Sequence, residues 1–420
     1  MRNVVTIITL IALVGAGLAL SMVRPTPLPR TIEVAPTLTR KLVCAPMVDS
    51  GVLYVDGAAT VTPQDADGAA AAGPTQLEDQ SAPTVIRGGA ALLGGTLTTG
   101  AVTGSWTPCT APTSQGTIVL PAAADTDLLV VNPDSSEAVV DLSLFGSDGE
   151  IVALGARGIA VGPHSSRSIA LSVLVRQEGP VGVSFRASRG RATVVARTTA
   201  PAVMDTAGAS SPGRTHWLAG VPAGATTATL LVTNPGNERA TIDVTAHGAT
   251  TAYQPEGATG VSVPAHSTVA LDLAPSLAGE PTGLHVTADG DVAVALSTGT
   301  VNDLAFSAPV SPSTRLGAYA PAGGVLQLSN PAATDVVASV TAQVVDGEAV
   351  TTSHTVPARS TLALPLEPTA PRGQVIDVAA DTPLVGAIVE SASGVSIVPL
   401  TSTSSPDAEP IDAEIVPTLR

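Results

Sequence analysis

One pattern constrains this chain more than any other: a phrase of about 20 residues occurs three times at domain-sized intervals. LLVVNPDSSEAVVDLSLFGSDGE begins at Leu128, LLVTNPGNERATIDVTAHG at Leu230, and LQLSNPAATDVVASVTAQVVDGE at Leu326. The copies align on Asn132-Pro133, Asn234-Pro235 and Asn330-Pro331, spaced by 102 and 96 residues. Eight, ten and twelve residues after each Asn stand apolar side chains: Val140, Leu142 and Leu144; Ile242, Val244 and Ala246; Ala338, Val340 and Ala342. Polar residues such as Asp141, Asp243 and Ser339 alternate with them. Strict alternation is the mark of a strand with one buried face.

Each copy continues into a proline-led phrase, VGPHSSRSIAL from Val161, VPAHSTVAL from Val263 and VPARSTLAL from Val356. Proline cannot donate to a sheet ladder, so it marks a strand edge or a change of sheet. Each copy ends in a longer β segment, VGVSFRASRGRATVVART, GLHVTADGDVAVALSTG or QVIDVAADTPLVGAIVES, whose central Gly, Asp or Pro reads as a hairpin turn. Six or seven short strands in roughly 95–100 residues match the size and rhythm of an immunoglobulin-like β-sandwich. The Cys…Trp…Cys core of true immunoglobulin domains is missing. The expected fold class is therefore all-β, with tandem immunoglobulin-like sandwiches. A β-propeller is the alternative, although its blades would repeat every 40–50 residues.

The expected organisation is a transmembrane signal anchor (1–24), a linker (25–40), an N-terminal β unit (41–105), three sandwich modules (106–204, 205–303 and 304–400) and a disordered acidic tail (401–420). DADGAAAAGPTQLEDQSAP reads as a mobile loop within the N-terminal unit. Between Arg2 and Arg24 lie 21 residues with no charge, long enough as a helix, about 30 Å, to cross a bilayer core. The run ends LALSMVRP without a good small-x-small site, which favours an uncleaved anchor over a cleaved signal peptide. Arg24, Arg30, Arg40 and Lys41 come after it, so local charge does not favour export of the C-terminal side. Long domains translocate largely regardless of charge, and the expected location is the cell membrane with the C-terminal region outside, or secretion if the segment is cleaved.

Composition narrows the function. The net charge of −16 repels phosphate backbones and excludes nucleic acid as an expected partner. The two cysteines, Cys44 and Cys109, lie beyond the apolar segment. In an exported chain such a pair most often forms a disulfide, worth about 4 kcal/mol on the chain-entropy argument. Two unrelated buried thiols are the alternative.

No catalytic, cofactor or metal site is predicted. There is no G-x-S-x-G, H-E-x-x-H, Walker loop or C-x-x-C. Asp65, Asp67 and Gly68 open like a calcium loop, but Ala70 and Gln76 occupy the positions an EF-hand reserves for Gly and Glu. His164 and His266 hold equivalent places in the proline-led phrase, where the third copy has Arg359; that substitution fits exposed turn residues rather than metal ligands. The three Asn-Pro pairs are read as structural turns, the Asn side chain bonding local backbone and the Pro fixing the next turn. Trp217 is expected to open its module and pack beneath it, and Trp106 and Tyr319 to do so in theirs. If they shared an exposed face they would suit a glycan, because aromatic rings stack on sugars.

The N-terminal apolar run, Cys44, Cys109 just after Trp106, and the repeated V-P-x-[HR]-S-T-x-A-L phrases together resemble a family of uncharacterised exported proteins of actinobacteria, classed as a domain of unknown function. The resemblance implies a cell-envelope setting near glycan assembly and no site residues. The expected function is that of a non-enzymatic, membrane-anchored interaction or scaffolding protein, touching the membrane through its N-terminal helix and touching an envelope protein or glycan through its modules. A glycan-binding accessory is the alternative, and a hydrolase a weaker one.

Overall fold

The computed structural model describes residues 40–403, apart from short stretches at 48–49, 65–66, 79, 90, 100–103, 201–202, 301–302, 321–323, 345–346, 367–372 and 391–394. The expected anchor and nearly all of the linker lie outside the described residues, as does the tail beyond 403. Among the described residues the chain is all-β, with one four-residue α-helix, Leu171–Leu174, and one 3-10 turn, Ala274–Ser276. No helix among them is long and apolar enough to cross a membrane.

Among the described residues the chain builds four two-sheet units, the expected N-terminal β unit sharing the plan of the other three. The second unit shows the plan. Its eight main strands are Gln115–Leu120, Thr126–Asn132, Ala138–Gly146, Gly149–Ile151, Ser165–Ala170, Val181–Arg189, Thr193–Ala200 and Val203–Gly208, and a short extra strand, Ile159–Val161, pairs with the third. One sheet takes them in the order fourth-third-sixth-first, and the other in the order fifth-second-seventh-eighth. The third and fourth units, 213–307 and 313–399, repeat both orders. So does the N-terminal unit, in strands Arg40–Cys44, Ser50–Asp56, Ala58–Pro63, Ala69–Ala72, Thr75–Glu78, Thr84–Gly88, Leu93–Thr99 and Gly104–Pro108. The stretch expected to be a mobile loop supplies the fourth and fifth of these strands. Ala69–Ala72 is held by pairing to Ala58–Pro63.

The strand order is not that of an immunoglobulin domain, whose first, second, fourth and fifth strands share one sheet; here the first strand shares its sheet with the third, fourth and sixth. The expected terminal hairpins do not form. In the third unit Thr282–Thr300 is a single strand: its first half pairs with Ala240–His247, and its second half pairs with Thr227–Asn234 in the other sheet. Gln374–Glu390 does the same in the fourth unit. Asp289-Gly290 therefore sits at a crossing between sheets, where a bulge shifts the register opposite Gly213 and Thr215. In the second unit the crossing is cut at Gly190, whose φ of 69° favours glycine.

Packing obeys the alternation in the sequence. Val140, Leu142 and Leu144 point inward between the sheets, against Leu128, Val183 and Phe185. Ile242 and Val244 do so in the third unit, and Ala338 and Val340 in the fourth. The smaller core of the first unit contains Leu53, Ile86 and Leu92 beside a disulfide that joins Cys44 to Cys109. The eighth strand of each unit falls at or across an expected boundary. The units are joined instead at the connectors near 109–114, 209–212 and 308–312.

The units close on one another. Lys41 of the first pairs with Asp134 of the second at 2.5 Å. Thr268 Oγ1 of the third donates to Phe145 O of the second at 2.8 Å, and Thr361 Oγ1 of the fourth donates to His247 O of the third at 2.7 Å. These two threonines occupy equivalent places in the proline-led phrases, which thus staple neighbouring units. The circuit then returns to the start. Tyr54 of the first unit stacks on Tyr319 of the fourth with ring centroids 3.6 Å apart, and Gln76 Nε2 donates to Tyr319 Oη at 2.7 Å. The result is a closed ring, not a row of modules. It shares circularity with a propeller, but each member is a pair of sheets rather than one blade.

Candidate functional site

The ring places the eighth strands, Gly104–Pro108, Val203–Gly208, Asp303–Ser307 and Ser396–Pro399, at its centre, each touching the next around a closed circuit. Two buried carboxylates tie them together. Asp205 accepts a hydrogen bond from Ser105 Oγ of the first unit at 2.6 Å and another from the Phe306 backbone N–H of the third. Asp303 accepts from the Val395 N–H of the fourth unit at 2.8 Å. Burial drives the Asp205 carboxyl up to about 7; the Ser105, Phe306 and Thr206 hydrogen bonds pull the other way, and the charge of Asp303 adds to the rise. Asp303 is also raised by burial, against hydrogen bonds from Val395 and Leu304. Sequence reading misses both acids, because a lone Asp near a strand end looks like a solvated turn.

Beyond the ends of these strands opens an axial cavity of ≈ 610 Å³ to which all four units contribute. Its apolar wall includes Phe306, Pro309, Val310 and Leu400. Its rim is made by the connectors, with Thr110, Ser210, Ser211, Ser311 and Ser402 supplying hydroxyls. Among the described residues no Asp or Glu lines it, and Arg40 is the one Lys or Arg that does. The volume is that of a small-ligand or short-peptide site. A sequence signal exists for it: T-A-P-T at Thr110, S-S-P-G at Ser210 and V-S-P-S at Val310 recur after the eighth strands.

The residues singled out in the sequence lie elsewhere. Asn132, Asn234 and Asn330 are buried. Asn132 Nδ2 donates to the carbonyls of Ser136, Val161 and Gly162, while its Oδ1 accepts from Asp134 N–H. Asn234 and Asn330 repeat the arrangement, the latter on Thr334, Val356, Pro357 and Ala332. Each Asn therefore clamps its own Asn-Pro turn to the proline-led phrase, with Pro133, Pro235 and Pro331 starting the turn. Asn330→Ala leaves four local backbone groups without their partner and is expected to cost about 3 kcal/mol. A shift in the urea midpoint at unchanged slope would show it; a loss below about 0.5 kcal/mol would mean that water replaces the amide.

His164, His266 and Arg359 share φ values of 47°, 54° and 50°, the left-handed turn position. His164 and Arg359 are exposed, but His266 is not: it packs on Phe145, and its Nε2 lies 2.9 Å from Asn237 Oδ1. His216 is buried against the carbonyls of Gly213 and Val292, and Trp217 is sandwiched by His285 and His247. Burial lowers His247 to about 4 and also lowers His285. Trp106, Trp217 and Tyr319 are all buried, and Trp106 belongs to the last strand of the first unit rather than to the start of the second. Asp65 lies outside the described residues, and no group of three or more metal-ligating side chains occurs among the described ones.

Comparison with known proteins finds no match among curated proteins or solved structures. A family model described as "Family of unknown function (DUF5719)" matches residues 61–367, from the third strand of the first unit past the fifth strand of the fourth. This ring of four two-sheet units, with its carboxylate-free axial cavity, therefore belongs to that family of unknown function.

Proposed function

We infer that the protein is a non-enzymatic interaction protein of the cell envelope, exported and held at the membrane by its N-terminal apolar segment, and that it meets its partner at the axial cavity. The observation that carries this is the convergence of four units on one cavity with no carboxylate among its described lining residues. The titratable groups nearest the axis, Asp205 and Asp303, are committed to backbone and hydroxyl donors that join units. Among the described residues the hydroxyl–imidazole pair is Thr352 with His354, an exposed contact within one strand that no carboxylate supports. Burial of Trp106, Trp217 and Tyr319 removes the stacking face on which a glycan-binding reading depends.

The test is photo-cross-linking in the native membrane from a probe at Ser211 on the cavity rim, with Val337 on a remote exposed strand as control. The expected result is one protein reproducibly linked from position 211 and not from 337. Links to glycan alone, or equal links from both positions, would overturn it.

A further inference from the structure

We propose that the axial cavity receives an extended peptide segment of a partner protein, and that Arg40 takes a carboxylate carried by that segment. The proposal rests on the cavity being the contact site, as inferred above, and adds the chemistry of the segment that enters.

The described lining selects against cations, because no Asp or Glu among the described residues stands there to receive one. Arg40 donates one hydrogen bond, from Nη1 to Leu92 O at 3.3 Å, and pairs with no described carboxylate. A guanidinium has five N–H donors in a planar fork that suits a carboxylate. Arg40 lines this cavity in a chain whose net charge is −16. This excess does not bar an acidic segment, since exposed charges beyond about 8 Å are screened at physiological salt.

The rest of the lining fits main chain better than a sugar ring. Hydroxyls such as Ser211 and Ser311 both donate and accept, as peptide N–H and C=O groups require. Pro309 and Leu400 offer an aliphatic wall for small side chains. Trp106 and Phe306 line the cavity but are each at least nine-tenths buried, so neither presents the open ring face on which a pyranose stacks.

Panning the full-length protein with a randomised hexapeptide library tests this. Enrichment of Asp or Glu over the input is expected. Arg40→Gln should reduce binding of a selected acidic peptide about tenfold, the equivalent of one charge-assisted hydrogen bond. Arg359→Gln, on a distant turn, should leave it unchanged. Ser211→Trp, which fills the rim, should abolish it; if that variant does not fold, the Arg40→Gln comparison still decides. Selected peptides without acidic enrichment, yet blocked by Ser211→Trp, would overturn the carboxylate inference and leave the contact site standing. Acidic peptides that bind Arg40→Gln and Ser211→Trp as well as the parent would overturn both.

Discussion

Replacing Asp205 by Asn is expected to stabilise this protein above neutral pH and to do almost nothing in acid. Asp205 is buried at the ring centre, and its carboxyl is raised to about 7, chiefly by burial. Unfolded, it titrates near 3.9. Between those values the folded state holds a proton that the unfolded state has released. Stability from this residue is therefore fully present below about pH 4 and declines as pH rises through 7, by roughly 4 kcal/mol in all. An Asn is neutral throughout. Its Oδ1 can accept from Phe306 N–H and its Nδ2 can donate to Ser105 Oγ, so the bridge between units survives.

The difference between Asp205→Asn and the parent isolates this residue from other titrating groups. Asp303, Asp56, Asp377 and Glu390 are raised in the same direction, whereas the lowered His247 and His285 oppose it in acid. Urea unfolding at pH 5, 6, 7 and 8 should show the gap widening with pH. A constant gap would mean that Asp205 is as solvated as an ordinary surface carboxylate.

The second large effect concerns closure of the ring. Tyr319→Ala removes a buried ring stacked on Tyr54, together with the acceptor for Gln76. The expected cost is about 3–5 kcal/mol, the range for truncating a large buried side chain. Tyr319→Phe keeps the stack, loses the hydroxyl's hydrogen bonds to Gln76 and Tyr54 and should cost about 1–2 kcal/mol. The alanine variant should also lose hydrogen-exchange protection at the contact between the first and fourth units before the core of the third unit opens. If Tyr319 lay exposed on the end of a row, alanine there would change stability by less than about 0.5 kcal/mol.

The contrast between these sites and the sequence motifs shows how much a single chain discloses. Asn132, Asn234 and Asn330 are legible because each sits beside Pro in a local turn, and the strands after them are legible because Val140, Ile242 and Val340 alternate with polar residues. The first unit is not recognisable in sequence as a fourth copy. It has no Asn-Pro pair, its strands are short, and its identity lies in strand order, which pairing decides and spacing does not reveal. The segment around Asp289-Gly290 reads as a hairpin because Asp-Gly favours turns locally. In the fold the two halves find better partners in opposite sheets, and a bulge absorbs the bend. Asp205 escapes notice in the sequence for the same reason as the Tyr54–Tyr319 contact: its partners come from other units, and only closure of the ring brings them together. Arg40 escapes notice because the rest of the cavity it lines is drawn largely from the other units.

That closure is the claim on which the rest depends. The most direct measurement is an electron paramagnetic resonance distance between spin labels at Thr110→Cys, on the connector where it pairs with Val43 of the first unit, and Thr401→Cys, just after the eighth strand of the fourth. The native cysteines are joined to each other and would not compete for label. Both positions line the axial cavity, so one narrow, short distance is expected. A broad distribution centred at long distance would mean that the first and fourth units do not meet, and would remove the cavity and the function inferred from it.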